Sequence, residues 1–290
     1  MQNRLKLVQP TTVHEASMAL ADFGDKARVY AGGAELLLLL RHKLVEAEVL
    51  IDIKKIPELN RLAADEQGIR IGACMTHQAL ADDLAVRRHA PAFADAESQV
   101  ANVRVRNQGT LGGNLCFNDP HSDPGTVLLV HNASLKVANY KGERQLPLEE
   151  FFQDMYATAL RPNEILSEIQ VPPLSESMTS TYLRLHRYQR PTLGVAAALT
   201  VANGSIAACR VAVGCAGPKP LRLHDLERQL NGAPVADVSR IVEGQKDYLR
   251  GLLRPVDDLL GSADYKLYMT GVMLAQALRT AAQGNNNGLS

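Results

Sequence analysis

The chain has 290 residues, 46% of them hydrophobic but only 4% aromatic, with no tryptophan. Its 31 basic and 31 acidic residues cancel to zero net charge, which excludes an electrostatic grip on nucleic acid or an anionic membrane. The longest apolar run, Leu36 to Leu40, is too short to cross a bilayer, and Met1-Gln-Asn-Arg-Leu-Lys6 has no apolar signal core, so no transmembrane segment and a cytoplasmic location are expected.

Thr12-Val-His-Glu15 reads as a capping box opening a helix that ends near Gly24. Arg28 to Ala31 follows as a strand, Gly32-Gly33 as a turn, Glu35 to Arg41 as a helix and Leu50 to Ile53 as a second strand. This first α/β unit ends about Pro57. Ile69 to Ala73 alternates as a strand should, Thr76 caps a helix through Leu84, and Ala92 to Val105 has helical spacing. The loop Asn107-Gln-Gly-Thr-Leu-Gly-Gly-Asn114 follows directly. Ser134 to Ala138 and Ile165 to Val171 are further strands, closed by Pro172-Pro173, and Ser175 to Ser180 has the small polar character of a linker. Beyond it, Tyr182 to Arg187, Val195 to Ala202 and Ile206 to Val213 read as three strands, with Asn203-Gly204 a hairpin signal. Leu221 to Leu230 and Tyr265 to Arg279 read as helices, and Gly284 to Gly288 as a frayed tail.

The chemistry points to two glycine loops, Ala31-Gly-Gly-Ala-Glu35 and Thr110-Leu-Gly-Gly-Asn114. Glycine lets a backbone approach a ligand closely, and a run of free peptide N–H groups binds pyrophosphate without a lysine. Neither loop has Rossmann or P-loop spacing, so another fold holds the ligand. Cys74, Cys116, Cys209 and Cys215 form no C-x-x-C pair, which leaves them as separate reduced thiols rather than a zinc or iron–sulfur site.

Tyr30 to Leu36, Ile71-Gly-Ala73 with Thr76, Arg106 to Asn114, Pro120-His-Ser-Asp123 and Gly261-Ser-Ala-Asp-Tyr265, in that order over nearly the whole chain, resemble the FAD-binding medium subunit of molybdenum hydroxylases, the carbon monoxide dehydrogenase and xanthine dehydrogenase family. The resemblance implies an α+β chain: a two-lobed FAD-binding domain of the vanillyl-alcohol-oxidase (PCMH) type over 1–175, with lobes about 1–57 and 58–175. A small α/β C-terminal domain with a three-stranded antiparallel sheet would occupy 178–282, and a flexible tail 283–290. It implies an oxidoreductase subunit that passes electrons from iron–sulfur clusters through FAD to NAD⁺, a quinone or oxygen. Molybdopterin would sit on a large partner subunit and 2Fe–2S clusters on a two-cluster small subunit, in a dimer of heterotrimers.

Carried over by position, Val29, Tyr30, Ala31, Gly32, Gly33, Ala34, Glu35 and Leu36, with Thr110, Leu111, Gly112, Gly113 and Asn114, would wrap the FAD diphosphate and ribityl chain. Gly32, Gly33, Gly112 and Gly113 would supply backbone donors, and Thr110 and Asn114 side-chain hydrogen bonds. Asp123 would accept from a flavin hydroxyl, Leu166 would make an apolar contact, and Arg184 falls where some relatives place a lysine near the isoalloxazine. No side chain is expected to act as a catalytic acid or base, because the flavin carries the chemistry, and no metal ligand is expected. Arg104 and Arg106 read as helix-end cations or phosphate contacts, and His77 and His121 as surface or capping groups. The competing functions are a free-standing flavin oxidase and an assembly subunit that has lost its flavin.

Overall fold

The computed structural model describes residues 5–186 and 190–284. Among the described residues, three sheets of three or more strands organise the chain. Lys6–Val8, Val49–Asp52 and Ala27–Tyr30 form a parallel sheet with Val49–Asp52 in the middle, and all four of that strand's residues are buried. A buried central parallel strand is mostly apolar, which is why Leu50 to Ile53 is visible in sequence despite Asp52. The helix Val13–Phe23 covers this sheet; Thr12 caps it by accepting from Glu15 N, while Glu15 reaches back to the amide and hydroxyl of Thr11.

The second sheet is antiparallel, ordered Leu62–Asp65, Gly68–Gly72, Ile165–Val171, Ser134–Asn139, Gly142–Pro147. Leu62–Asp65 and Gly142–Pro147 are edge strands that a reading based on apolar alternation misses, the first because its four residues do not alternate and the second because it is mostly polar. The expected helix from Ala92 to Val105 is two helices, Pro91–Gln99 and Val103–Gln108. Ala101 takes a positive φ of 42° between them, and Asn102 caps the second by accepting from Arg104 N and Val105 N. The break follows from that cap: an Asx side chain offers the backbone an alternative to helix continuation.

Beyond Pro172-Pro173 the chain enters a four-stranded antiparallel sheet, Thr179–Leu185, Leu193–Ala202, Ser205–Gly214 and the two-residue strand Leu221–Arg222. The three long strands are those expected, although Thr179 and Ser180 belong to a strand rather than the linker. The first strand ends at Leu185, and Arg187, like most of the C-terminal tail, lies outside the described residues. Leu221 to Leu230 is not one helix: Leu221–Arg222 pairs with Val213 and Ala212, and the helix is His224–Leu230. Arg222 Nε and Nη2 grip the Glu227 carboxylate at 2.6 and 2.8 Å, tying that strand to the helix.

Residues 193–199 of the strand Leu193–Ala202 are buried on both faces. Ala196 and Ala198 meet the fully buried helix Pro124–Val130 of the first domain, while Val195, Ala197 and Leu199 meet the core beneath the helix Ala263–Ala282. Small residues permit the close approach: a Cβ on Gly214 would lie 2.0 Å from Thr126 Oγ1. The two domains therefore share an apolar seam, which fixes how the second domain reaches the site on the first.

Candidate functional site

A cavity of about 600 Å³ opens between the first lobe, the second lobe and the start of the second domain. Its size falls within the roughly 300–1,000 Å³ typical of cofactor sites. Its walls include Val29, Ala31, Gly32, Gly33, Ala34, Glu35 and Leu36 from one side and Thr110, Gly113, Asn114, Asp123, Leu166 and Arg184 from the other. Thus thirteen of the sixteen residues singled out in sequence converge on one space.

The two loops touch at their bases. A Cβ on Gly32 would lie 2.1 Å from the Gln108 carbonyl oxygen, and one on Gly33, at φ +78°, would strike the Tyr30 ring. Among the described residues, no intrachain hydrogen bond occupies the amides of Gly32, Gly33, Ala34 and Glu35. Consecutive free amides beside a cradle that only glycine can line suit the oxygens of a diphosphate. The residues present fit FAD.

The second loop works differently from expectation. Thr110 caps the helix Leu111–Phe117 by accepting from Gly113 N at 3.1 Å, and Gly112 N donates to Ala73 O at 2.9 Å. The Gly112 and Gly113 amides, first-turn donors that the helix itself leaves open, are therefore committed to Ala73 O and Thr110 Oγ1. Gly112 and Leu111 stand behind the wall: a Cβ on Gly112 would meet Ala73, and Leu111 is fully buried. Tyr30 also lies behind it, its ring beneath Gly33 and covered by Lys54 Nζ at 3.3 Å from the centroid. Asn114 Oδ1 accepts from Ser122 Oγ at 2.6 Å, which leaves the side-chain amide group as its donor toward the cavity.

Asp123 is buried, with Tyr182 Oη donating to Oδ1 at 2.5 Å and Arg184 Nε at 2.9 Å from the same oxygen. Burial raises its carboxyl to about 6 despite Arg184 and Tyr182, which both favour the anion. Arg184 also donates to Gln99 O at 3.0 Å, so its guanidinium joins the second domain to the first at the cavity wall. Tyr182 was not legible as a site residue, because it sits behind Asp123 and its strand alternation already explains it.

Arg190 likewise escaped the sequence. It reaches Asp119 at 2.8 Å and Glu35 at 3.6 Å, bridging the cavity's two rims, and burial raises the Glu35 carboxyl. Arg104 and Arg106 do not border the cavity; Arg106 donates to Gln78 Oε1 and Val100 O. His121 is half-buried at the wall, its Nδ1 donating to Pro191 O at 2.9 Å. His77 is neither a surface nor a capping group: it is 2% exposed, borders the cavity, and places Nδ1 2.5 Å from Glu97 Oε2. Among the described residues no cluster of His, Cys, Asp or Glu could hold a metal, and no helix is long and apolar enough to cross a membrane.

The family model described as the FAD binding domain in molybdopterin dehydrogenase matches residues 3–174, and the CO dehydrogenase flavoprotein C-terminal domain matches 182–281. The chain is 30% identical over 280 residues to the carbon monoxide dehydrogenase medium chain of Hydrogenophaga pseudoflava, covering 96% of this chain and 97% of that one. It is 28% identical to the caffeine dehydrogenase subunit beta of Pseudomonas sp. (strain CBB1), covering 95% and 94%. Among solved structures, carbon monoxide dehydrogenase from Hydrogenophaga pseudoflava superposes with a TM-score of 0.91 at 31% identity, covering 96% and 97%. Quinoline 2-oxidoreductase from Pseudomonas putida 86 superposes with a TM-score of 0.88 at 25% identity, covering 96% and 97%. The chain belongs to the molybdenum hydroxylase (CO dehydrogenase/xanthine dehydrogenase) family as an FAD-binding medium subunit, the electron-transfer flavoprotein component of a molybdopterin and iron–sulfur dehydrogenase complex.

Proposed function

We propose that the cavity between the glycine loops is where this chain holds FAD, and that its partners are a molybdopterin-binding large subunit and a two-cluster iron–sulfur small subunit in a dimer of heterotrimers. The observation that carries the site is the convergence of the free Gly32 to Glu35 amides with Thr110, Asn114, Asp123 and Arg184 on one space. When bound, FAD supplies the ability to take electrons from an iron–sulfur centre and release them to an external acceptor.

The residues then divide the work. Gly32, Gly33, Ala34 and Glu35 present amide donors to the diphosphate. The Asn114 amide and the Asp123 carboxylate orient the ribityl hydroxyls, the first donating and the second accepting. Leu166, Val29 and Leu36 exclude water along the apolar walls, and Arg184 sets the charge at the wall shared with the second domain. Val29 to Leu36 and Thr110 to Asn114 thus act as two strips, with Tyr30, Leu111 and Gly112 shaping them from behind.

The test is the absorption spectrum of the purified full-length chain, with the released cofactor identified after denaturation. About one FAD per chain, the expectation for a single cofactor site, supports the reading. A folded chain that takes up no added FAD overturns it. Bleaching of the bound flavin by an aldehyde or N-heterocycle without any partner would instead favour a free-standing oxidase.

A further inference from the structure

The glycine loops have one feature that their backbone chemistry does not explain. The His77 ring lies under the second loop, its Cδ2 3.1 Å and its Nε2 3.4 Å from where a Cβ on Gly109 would stand. Gly109 is also where the first loop lands, 2.9 Å from a Cβ on Gly32. The imidazole therefore sits beneath the junction of both loops, at the wall of the cavity. Its other nitrogen, Nδ1, contacts Glu97 Oε2 at 2.5 Å, a charge-assisted distance.

Glu97 is 0% exposed, does not border the cavity, and leaves Oε1 buried without a hydrogen-bond partner among the described residues. An unpaired carboxylate is costly to bury, and His77 Nδ1 is the group placed against this one. His77 lies at the cavity wall and Glu97 behind it, away from the cavity. The other cations at the wall among the described residues already have partners: Arg184 with Asp123 and Gln99, Arg190 with Asp119 and Glu35, and Arg28 with the carbonyls of Asp25 and Ala27.

We propose that His77, held by Glu97 as an imidazolium, is the built-in positive charge that faces the FAD diphosphate from beneath the two glycine loops, and so selects dinucleotide-type flavin over uncharged flavin. This rests on the cavity being the FAD site. It makes His77 a binding residue and Glu97 its positioning residue. The role is electrostatic, and no proton need leave the ring.

The experiment compares FAD with riboflavin, which lacks the diphosphate, on the flavin-depleted full-length chain, reading flavin fluorescence quenching. The variants are His77→Gln and the double variant His77→Gln/Glu97→Gln; the second removes both charges and so leaves no unpaired carboxylate in the core. Circular dichroism confirms that each is folded. Each is expected to bind FAD at least about tenfold more weakly, the loss of one good charge-assisted contact, with riboflavin affinity unchanged. Competition by ADP, which carries the diphosphate without the flavin, is expected to weaken in parallel. Equal losses for FAD and riboflavin in the folded double variant, or no loss for either, overturn the proposal. Failure of the wild-type chain to bind FAD overturns the site reading itself, a separate result.

Discussion

Gly32 and Gln108 meet so closely that a single added methyl group on Gly32 would lie 2.1 Å from the Gln108 carbonyl oxygen. The contact is backbone against backbone, so neither side can move a flexible side chain out of the way. It sets the spacing of two loops that are seventy-odd residues apart in the chain.

Gly32→Ala is accordingly expected to push the loops apart and abolish stoichiometric flavin retention, with about 1–3 kcal/mol of destabilisation from overpacking. Released FAD per chain and a urea midpoint check the two effects separately. Retention of a full flavin complement would contradict the role given to this contact.

Thr110 offers a finer probe. Its hydroxyl accepts from Gly113 N and starts the helix that carries Asn114. Thr110→Ala is expected to cost about 1 kcal/mol, the usual worth of an N-cap, whereas Thr110→Ser keeps the acceptor and is expected to stay near wild type. Chemical denaturation of the two variants distinguishes them.

His131 lies fully buried at the end of the helix Pro124–Val130, and burial, aided by Arg210, pulls its imidazole down to about 4. The unfolded chain takes up a proton there near pH 6.5 while the folded chain refuses it until about 4, so stability falls as pH drops through that window. The loss is on the order of 3 kcal/mol. His131→Gln carries no such proton. The difference in unfolding free energy between wild type and variant, measured at several pH values, is expected to shift in the variant's favour from pH 6.5 to 4; a constant difference would sink the assignment.

Lys266 is buried, its Nζ 2.5 Å from Asp258 Oδ2 and 3.0 Å from Val256 O, while Asp258 remains partly exposed. Removing the carboxylate leaves a buried, unpaired ammonium, so Asp258→Asn is expected to cost about 3–5 kcal/mol. Lys266→Met removes the buried charge and leaves an aspartate that water can reach, so its cost is expected to be smaller. Urea midpoints in that order support the asymmetry, and the reverse order would refute it.

Much of the site was legible because its logic is local. Gly32-Gly33 follows a short strand, Gly112-Gly113 follows a helix, Asp123 precedes a mostly apolar, fully buried helix, and each pattern stands in a short stretch of chain. The second loop shows the limit of that reading: Gly112 and Gly113 look like donors in sequence, but their amides are taken by Ala73 O and Thr110 Oγ1. A glycine doublet states that backbone approaches something closely; it does not state whether that something is a ligand or a neighbouring strand.

By itself the sequence determined the order of the elements, the two glycine loops and the family pattern, since periodicity, capping and turn chemistry act between residues near in the chain. Tertiary structure alone decided which charges meet. Tyr182 and Arg184 close on Asp123, Arg190 spans Glu35 and Asp119, and Glu97 reaches His77 from another helix. Partners drawn from separate lobes and domains leave no periodic trace, because their distance is set by how the sheets and helices pack and not by their spacing along the chain.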